Sequence, residues 1–363
     1  MIANMTEQLR PQETQVSPEQ VLQAGSEFLQ HFGVEVSPTE QPDQFMEAMK
    51  QLDPRYEGGR ELVRYELAED QREWPEETKQ VIMNGAESMG MLKPETPLVG
   101  DIDVVIALGG ANQQNHERPR YALEAMKKGE ATFKQLVIAG SSRKLKEGEQ
   151  KNTANYAPGA ETEFDLCVAG AAMLAKEYPG VPISVLFVDD EKAGTPDVIE
   201  GVLAAEQANG TLQPNSRVAA ITTQIYQEST ELDLARVSNK FGIAETQTAG
   251  IPSPAKTIEG RTPATYKSEI IRTLKAAANG AVAEKVAKVA HAEKVGQIAT
   301  ATAANRAEQI KIANANNANN SDMLLDENGV DQWGFTLEDH EAGRYRSGGL
   351  VYNGWNDPGM YDE

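Results

Sequence analysis

A single cysteine, Cys167, in 363 residues excludes any internal disulfide framework. With one cysteine and four scattered histidines, no metal-ligand spacing can be assembled, and the expected metal set is none. No run of about 18 apolar residues occurs, so no transmembrane helix is expected. The opening stretch MIANMTEQLRPQETQ lacks the apolar core of a secretory signal, which leaves the cytoplasm as the expected compartment. Basic residues are scarce relative to acids, 34 Lys+Arg against 55 Asp+Glu, a net charge of −21. Such a field repels nucleic acid and anionic membranes, so neither is an expected partner.

What remains is a chain 40% hydrophobic, enough for a core, and long enough for two domains or one large domain with appendages. Its most telling feature is four apolar runs, rich in β-branched residues, each ending in small polar residues and followed by a helical stretch. They are Ile102–Gly110, Gln135–Ser142, Ile183–Asp190 and Arg217–Thr223. Runs of this kind are strands buried on both faces of a parallel sheet. A weaker fifth run lies at Ala244–Ala249. The expected fold is α/β, a Rossmann-like three-layer sandwich with a mainly parallel sheet.

Around that core the chain divides by composition. Residues 1–16 read as a disordered arm and 17–100 as a helical layer. Ser17-Pro18-Glu19-Gln20, Ser37-Pro38-Thr39-Glu40 and Trp74-Pro75-Glu76-Glu77 each read as a helix start. Residues 101–275 form the α/β domain. Residues 276–320 continue an Ala-rich helical stretch, either one long helix or two broken near Asn279-Gly280. The tail, 321–363, carries ten acids against two arginines and is expected to be extended or disordered. Its Trp333, Phe335, Tyr352 and Trp355 could dock it on a protein partner or on the chain's own core. The polar stretch 141–162 reads as a structureless loop, either a solvated insertion or a basic lid bearing Arg143, Lys144, Lys146 and Lys151.

In open α/β sheets ligands bind outside the carboxyl ends of the strands. The expected ligand residues are therefore Gly109, Gly110 and Asn112 after the first strand, and Ser141 and Ser142 after the second. Asp189 and Asp190 follow the third, and Thr222, Thr223 and Tyr226 the fourth. Thr195 is expected to cap a helix whose N-terminus faces the crevice. Arg118 and Arg120 suit a phosphate or carboxylate, and His116 is the candidate general base. The glycines match neither a dinucleotide fingerprint nor a Walker loop, so the cofactor stays unassigned.

These residues, in this order, resemble the YdcF/SanA/ElyC-like family of bacterial proteins. The resemblance runs over Val104–Gly110, Arg118 or Arg120 with Ala122–Gly129, Leu136–Ser141, Glu161 or Glu163, Asp189–Asp197, Ile221–Thr223 and Tyr266–Leu274 with Glu269. It covers about half of the chain. It implies a Rossmann-like domain with a nucleotide-like ligand, S-adenosylmethionine among the candidates, and adds Glu163 to the ligand residues. Tyr226 and Ser229 stand where the family has His and Arg, and Val198 where it has Asn. The leading expectation is binding of a small phosphorylated or nucleotide-type ligand, with hydrolysis or transfer as a further step. The alternative is a non-catalytic interaction protein with a degenerate pocket.

Overall fold

The computed structural model describes residues 17–59, 67, 73–92, 96–110, 114–243, 245–252, 262–287, 344–347 and 350–353. Five strands form one sheet: β1 (Gly100–Leu108), β2 (Ala131–Ser141), β3 (Ile183–Val188), β4 (Arg217–Thr223) and β5 (Glu245–Ile251). The order is β3-β2-β1-β4-β5, every pair parallel. This is the Rossmann-like arrangement that the buried apolar runs predict. The chain winds outward from β1 to β3, then returns to β4 on the other side of β1. The switch point therefore lies between the carboxyl ends of β1 and β4.

Helices cover both faces. On one face lie α5 (Gln114–Lys128) and α7 (Glu163–Glu177), packed on Val105, Ala107, Leu136 and Ile138. On the other, α8 (Thr195–Ala208) and α9 (Gln227–Lys240) pack on Val104, Ile106, Val137 and Ala220. Strands buried on both sides cannot alternate polar with apolar residues, which explains the continuous runs.

The N-terminal layer comprises α1 (Pro18–Ala24), α2 (Ser26–His31), α3 (Pro42–Leu52), a 3-10 turn at Pro54–Gly59 and α4 (Glu76–Ser88). Ser17 caps α1 in a reciprocal capping box with Gln20. The Ser37 signal makes only a turn, its hydroxyl accepting from Glu40 N, and the helix begins five residues later at Pro42. This layer buries Phe28, Phe45, Ile82 and Met89 against Tyr266, Ile270 and Leu274 of α10 (263–287). Helix α10 runs through Asn279-Gly280 without a break, and Gly280 packs against Pro18, where a Cβ would stand 2.8 Å from the ring.

The stretch 141–162 is not structureless. It contains α6 (Glu147–Thr153), and Lys144 bridges Thr162 in antiparallel pairing. Residues 1–16, and most of the region beyond 287, lie outside the described residues. A second unit, Lys285–Glu363, contains a hairpin of β6 (Arg344–Ser347) and β7 (Leu350–Asn353) within the stretch expected to be extended or disordered. Among the described residues no helix is long and apolar enough to cross a membrane.

Candidate ligand site at the carboxyl edge of the sheet

The turn after β1 is held by Asn115. Gly110 N donates to Asn115 Oδ1 at 3.0 Å, and Asn115 Nδ2 donates back to the Gly110 carbonyl. The side chain is fully buried; its Oδ1 also accepts from Cys167 Sγ at 3.3 Å, and it is hydrogen-bonded to Tyr156. Burial raises the Tyr156 phenol to about 12 and holds the Cys167 thiol protonated. Gly109 N donates to Ala139 O at 2.7 Å. A Cβ on Gly109 would stand 2.7 Å from that oxygen and 3.1 Å from Glu163 Oε1, so only glycine fits. Gly110 would meet only the flexible Gln114 side chain. Asn112 lies outside the described residues.

Helix α5 starts at Gln114, well before the apolar positions that announce it, and carries Pro119 inside. A proline there withholds the amide that would otherwise bond the Asn115 carbonyl. Arg118, 3% exposed, turns inward. Its guanidinium donates to Leu108 O at 2.5 Å, Gly109 O at 2.8 Å and Thr223 Oγ1 at 3.0 Å. It thereby ties the ends of β1 and β4 together across the switch point. Arg120 points elsewhere, forking onto Glu177 at 2.6 and 2.7 Å and touching His116 Nε2 at 2.9 Å. Glu177 ends the helix that Glu163 begins, about 21 Å along its axis at 1.5 Å per residue. The candidate base His116 is thus turned toward the far end of α7. Burial, then Arg120, push its imidazole below the ordinary range.

At the end of β2, Ser141 Oγ donates to Glu163 Oε2 at 3.1 Å. Arg143 stands 3.7 Å from the same oxygen and pairs with Glu149 at 3.1 Å. Of the expected basic lid, Arg143 is therefore already matched by two carboxylates, and Lys151 pairs with Glu147. Ser142 N continues the β2–β3 ladder to Val188 O.

After β3, Asp189 and Asp190 are exposed, and Asp190 Oδ1 accepts from Lys192 N within its own turn. Thr195 is not the cap of α8. Gly194 takes that place, its N–H bound by Asp197 Oδ2 at 2.7 Å, and Thr195 is the first helical residue. Its hydroxyl is released to accept from Arg272 at 2.5 Å. Arg272 comes from α10. It also lies 5.7 Å from the Tyr226 ring centroid and 3.6 Å from Glu269. Asp233, buried nearby, has its carboxyl raised by desolvation against the pull of Arg272 and Arg236. Thr222 and Thr223 are buried, and Ser229 Oγ donates to Tyr226 O at 3.0 Å.

Two clusters result. Gly109, Gly110, Ser141 and Glu163 meet at the ends of β1 and β2, with Arg143 of the expected basic stretch and Asn115 as an unforeseen member. Thr195 and Tyr226 meet through Arg272, while Thr223 joins Arg118 at the end of β4. Sequence reading missed Asn115 and Arg272. Asn115 lies five residues beyond Gly110, close enough in sequence to be sought as a local partner of the turn, but nothing local marks Arg272. No group of three His, Cys, Asp or Glu suited to a metal occurs among the described residues. A depression of about 400 Å³ lined by Leu22, Leu29, Val34 and Pro38 belongs to the N-terminal layer instead.

Fold and edge together define a Rossmann-like all-parallel α/β protein with polar side chains gathered at the carboxyl edge of its sheet. No family model and no solved structure matches the chain. A 97-residue segment is 33% identical to uncharacterised proteins of Mycobacterium tuberculosis and Mycobacterium bovis, covering 27% of this chain and 27% of theirs. The chain thus spans about a quarter of the length of the curated relatives it matches.

Proposed function

We propose that the protein, a divergent member of the YdcF type acting in the cytoplasm, binds a small phosphorylated or nucleotide-type ligand at this edge. The observation that carries the reading is the position of Arg272. Its guanidinium sits at the first residue of α8, a 14-residue helix, against the Thr195 hydroxyl and the Tyr226 ring. The N-terminus of a helix carries partial positive charge and favours anions, so a cation placed there is of the wrong sign. Both donors suit a phosphate bridging them, with Glu269 and Asp233 balancing Arg272 in the meantime. On the other side of the crevice, Glu163 and Ser141 suit the hydroxyls of a ribose or sugar. These groups hold a ligand; none is an imidazole placed for proton transfer, so the proposal is binding.

A thermal-shift panel of nucleotides, sugar phosphates, S-adenosylmethionine and inorganic phosphate tests it. A true ligand at 100 times its dissociation constant stabilises the fold by about 2.7 kcal/mol. Arg272→Ala is expected to remove that shift while the unliganded protein melts cooperatively. A flat panel, or a shift that survives in Arg272→Ala, contradicts the proposal.

A further inference from the structure

The two edges of the sheet are finished differently. Beside β5, Thr96 bridges Gly250, and the Gln247 side chain bonds Val99 N at 3.5 Å and Pro97 O at 3.2 Å. That edge is covered by the chain itself. At the opposite edge, no strand among the described residues pairs with the outer side of β3. The strand reads ISVLFV, with no charge, proline or bulge inside it. Natural sheets guard open edges with those devices, and this one has none.

The surface beside the open edge is apolar too. Phe187 is 45% exposed and stacks on Phe164 of α7, with ring centroids 4.7 Å apart. Val168, one turn further along α7, is also 45% exposed. Ala172 and Ala175 continue that exposed stripe without a charge. The only other large apolar side chain so exposed among the described residues is Val286.

We propose that β3 pairs antiparallel with β3 of a second copy of this chain, giving a two-fold dimer with one continuous sheet. The strand is self-complementary for that operation. Parallel pairing with β2 uses the carbonyls of Pro182 and Val188, so the alternate residues Ile183, Val185 and Phe187 face outward. With the two-fold axis at Val185, these three pair among themselves, and Phe187 stands opposite Ile183 of the second copy. Aromatic against β-branched is a favourable cross-strand pair. Their side chains share the α7 face, since Ile183 and Val185 pack on that core, so Phe164 and Val168 of the two copies are drawn together.

Charge selects the antiparallel direction for this self-pairing. The chain is strongly acidic, and Asp189, Asp190 and Glu191 follow β3 directly. Antiparallel pairing sets Asp189 of one copy beside the uncharged turn Gly180–Pro182 of the other. The two acidic ends then lie about 26 Å apart at 3.3 Å per residue, well beyond a Debye length of about 8 Å. Side-by-side parallel pairing would press them together.

Sedimentation velocity of the full chain over a concentration series tests the proposal. The expected result is a species of twice the 39.4 kDa chain mass. Phe187→Lys guards the strand, and Val168→Glu charges the α7 stripe without touching the sheet. Each is expected to weaken dimerisation at least about tenfold, a factor worth about 1.4 kcal/mol, with far-ultraviolet dichroism and melting temperature retained. A full chain that stays monomeric to its solubility limit overturns the proposal. So does a dimer that both substitutions leave intact. Ligand stabilisation is read separately, so either result stands whatever the crevice binds.

Discussion

Replacing Arg118 by alanine is expected to destabilise the protein by about 3–5 kcal/mol, because three oxygens at the strand ends lose hydrogen bonds to a charged donor. The guanidinium touches β1 and β4 together at the switch point, donating to Leu108 O, Gly109 O and Thr223 Oγ1. Alanine leaves those acceptors facing a cavity, and hydrogen bonds to a charged group contribute about 1.5–3 kcal/mol each. For a domain of this size the melting temperature should fall by roughly 10 °C. Arg118→Lys keeps the charge but cannot fork to three acceptors, so its loss should be intermediate. Denaturant unfolding measures both. A loss below about 1 kcal/mol for Arg118→Ala would mean the arginine is not a structural tie.

The second large effect is expected at Gly170, in the middle of α7. A Cβ there would stand 2.4 Å from the Asn115 carbonyl oxygen and 3.0 Å from its carbon. Both are backbone atoms, so relief requires moving α5 as a whole. Alanine would by itself favour the helix by about 1 kcal/mol. The overpacking is expected to win, with a net loss of about 1–3 kcal/mol. The displacement should also loosen Asn115 from the Gly110 turn and weaken ligand binding. Gly201→Ala in α8 is the control, since its nearest neighbour is a Val188 methyl at 3.2 Å. Chemical denaturation of the two variants should separate them; equal stability of Gly170→Ala and the parent chain would contradict the packing argument.

The sheet was legible because its central strands are buried on both faces, and the edge strand Ile183–Val188 keeps the same apolar run although none of its residues is fully buried. The first residues of β2, Ala131–Lys134, alternate with solvent and carry no apolar run, so the strand begins earlier than its sequence announces. Helix α6, EGEQKNT, buries only Glu149 and Thr153 and has no amphipathic signature. Strand ends give the edge residues Gly109, Ser141 and Tyr226 directly. They do not give the partners. Arg118 and Arg120 are two residues apart on one helix, and their opposite directions follow from helix geometry that charge alone does not reveal. Thr195 looked like a cap because Thr-Pro is a common helix opening, but the Asp197 carboxylate reaches Gly194 first. Arg272 reaches the edge from an Ala-rich helix far downstream, a contact made only by the tertiary fold.

Hydrogen exchange on the full chain, with and without the nucleotide or sugar phosphate giving the largest thermal shift, tests the central claim most directly. Amides of bound segments should be protected at 109–110, 141–143, 194–198 and 222–227, with Arg272→Ala abolishing the protection. Protection confined to the depression between α1 and α2, or absent from every strand end, would contradict the placement of the ligand site at the switch point.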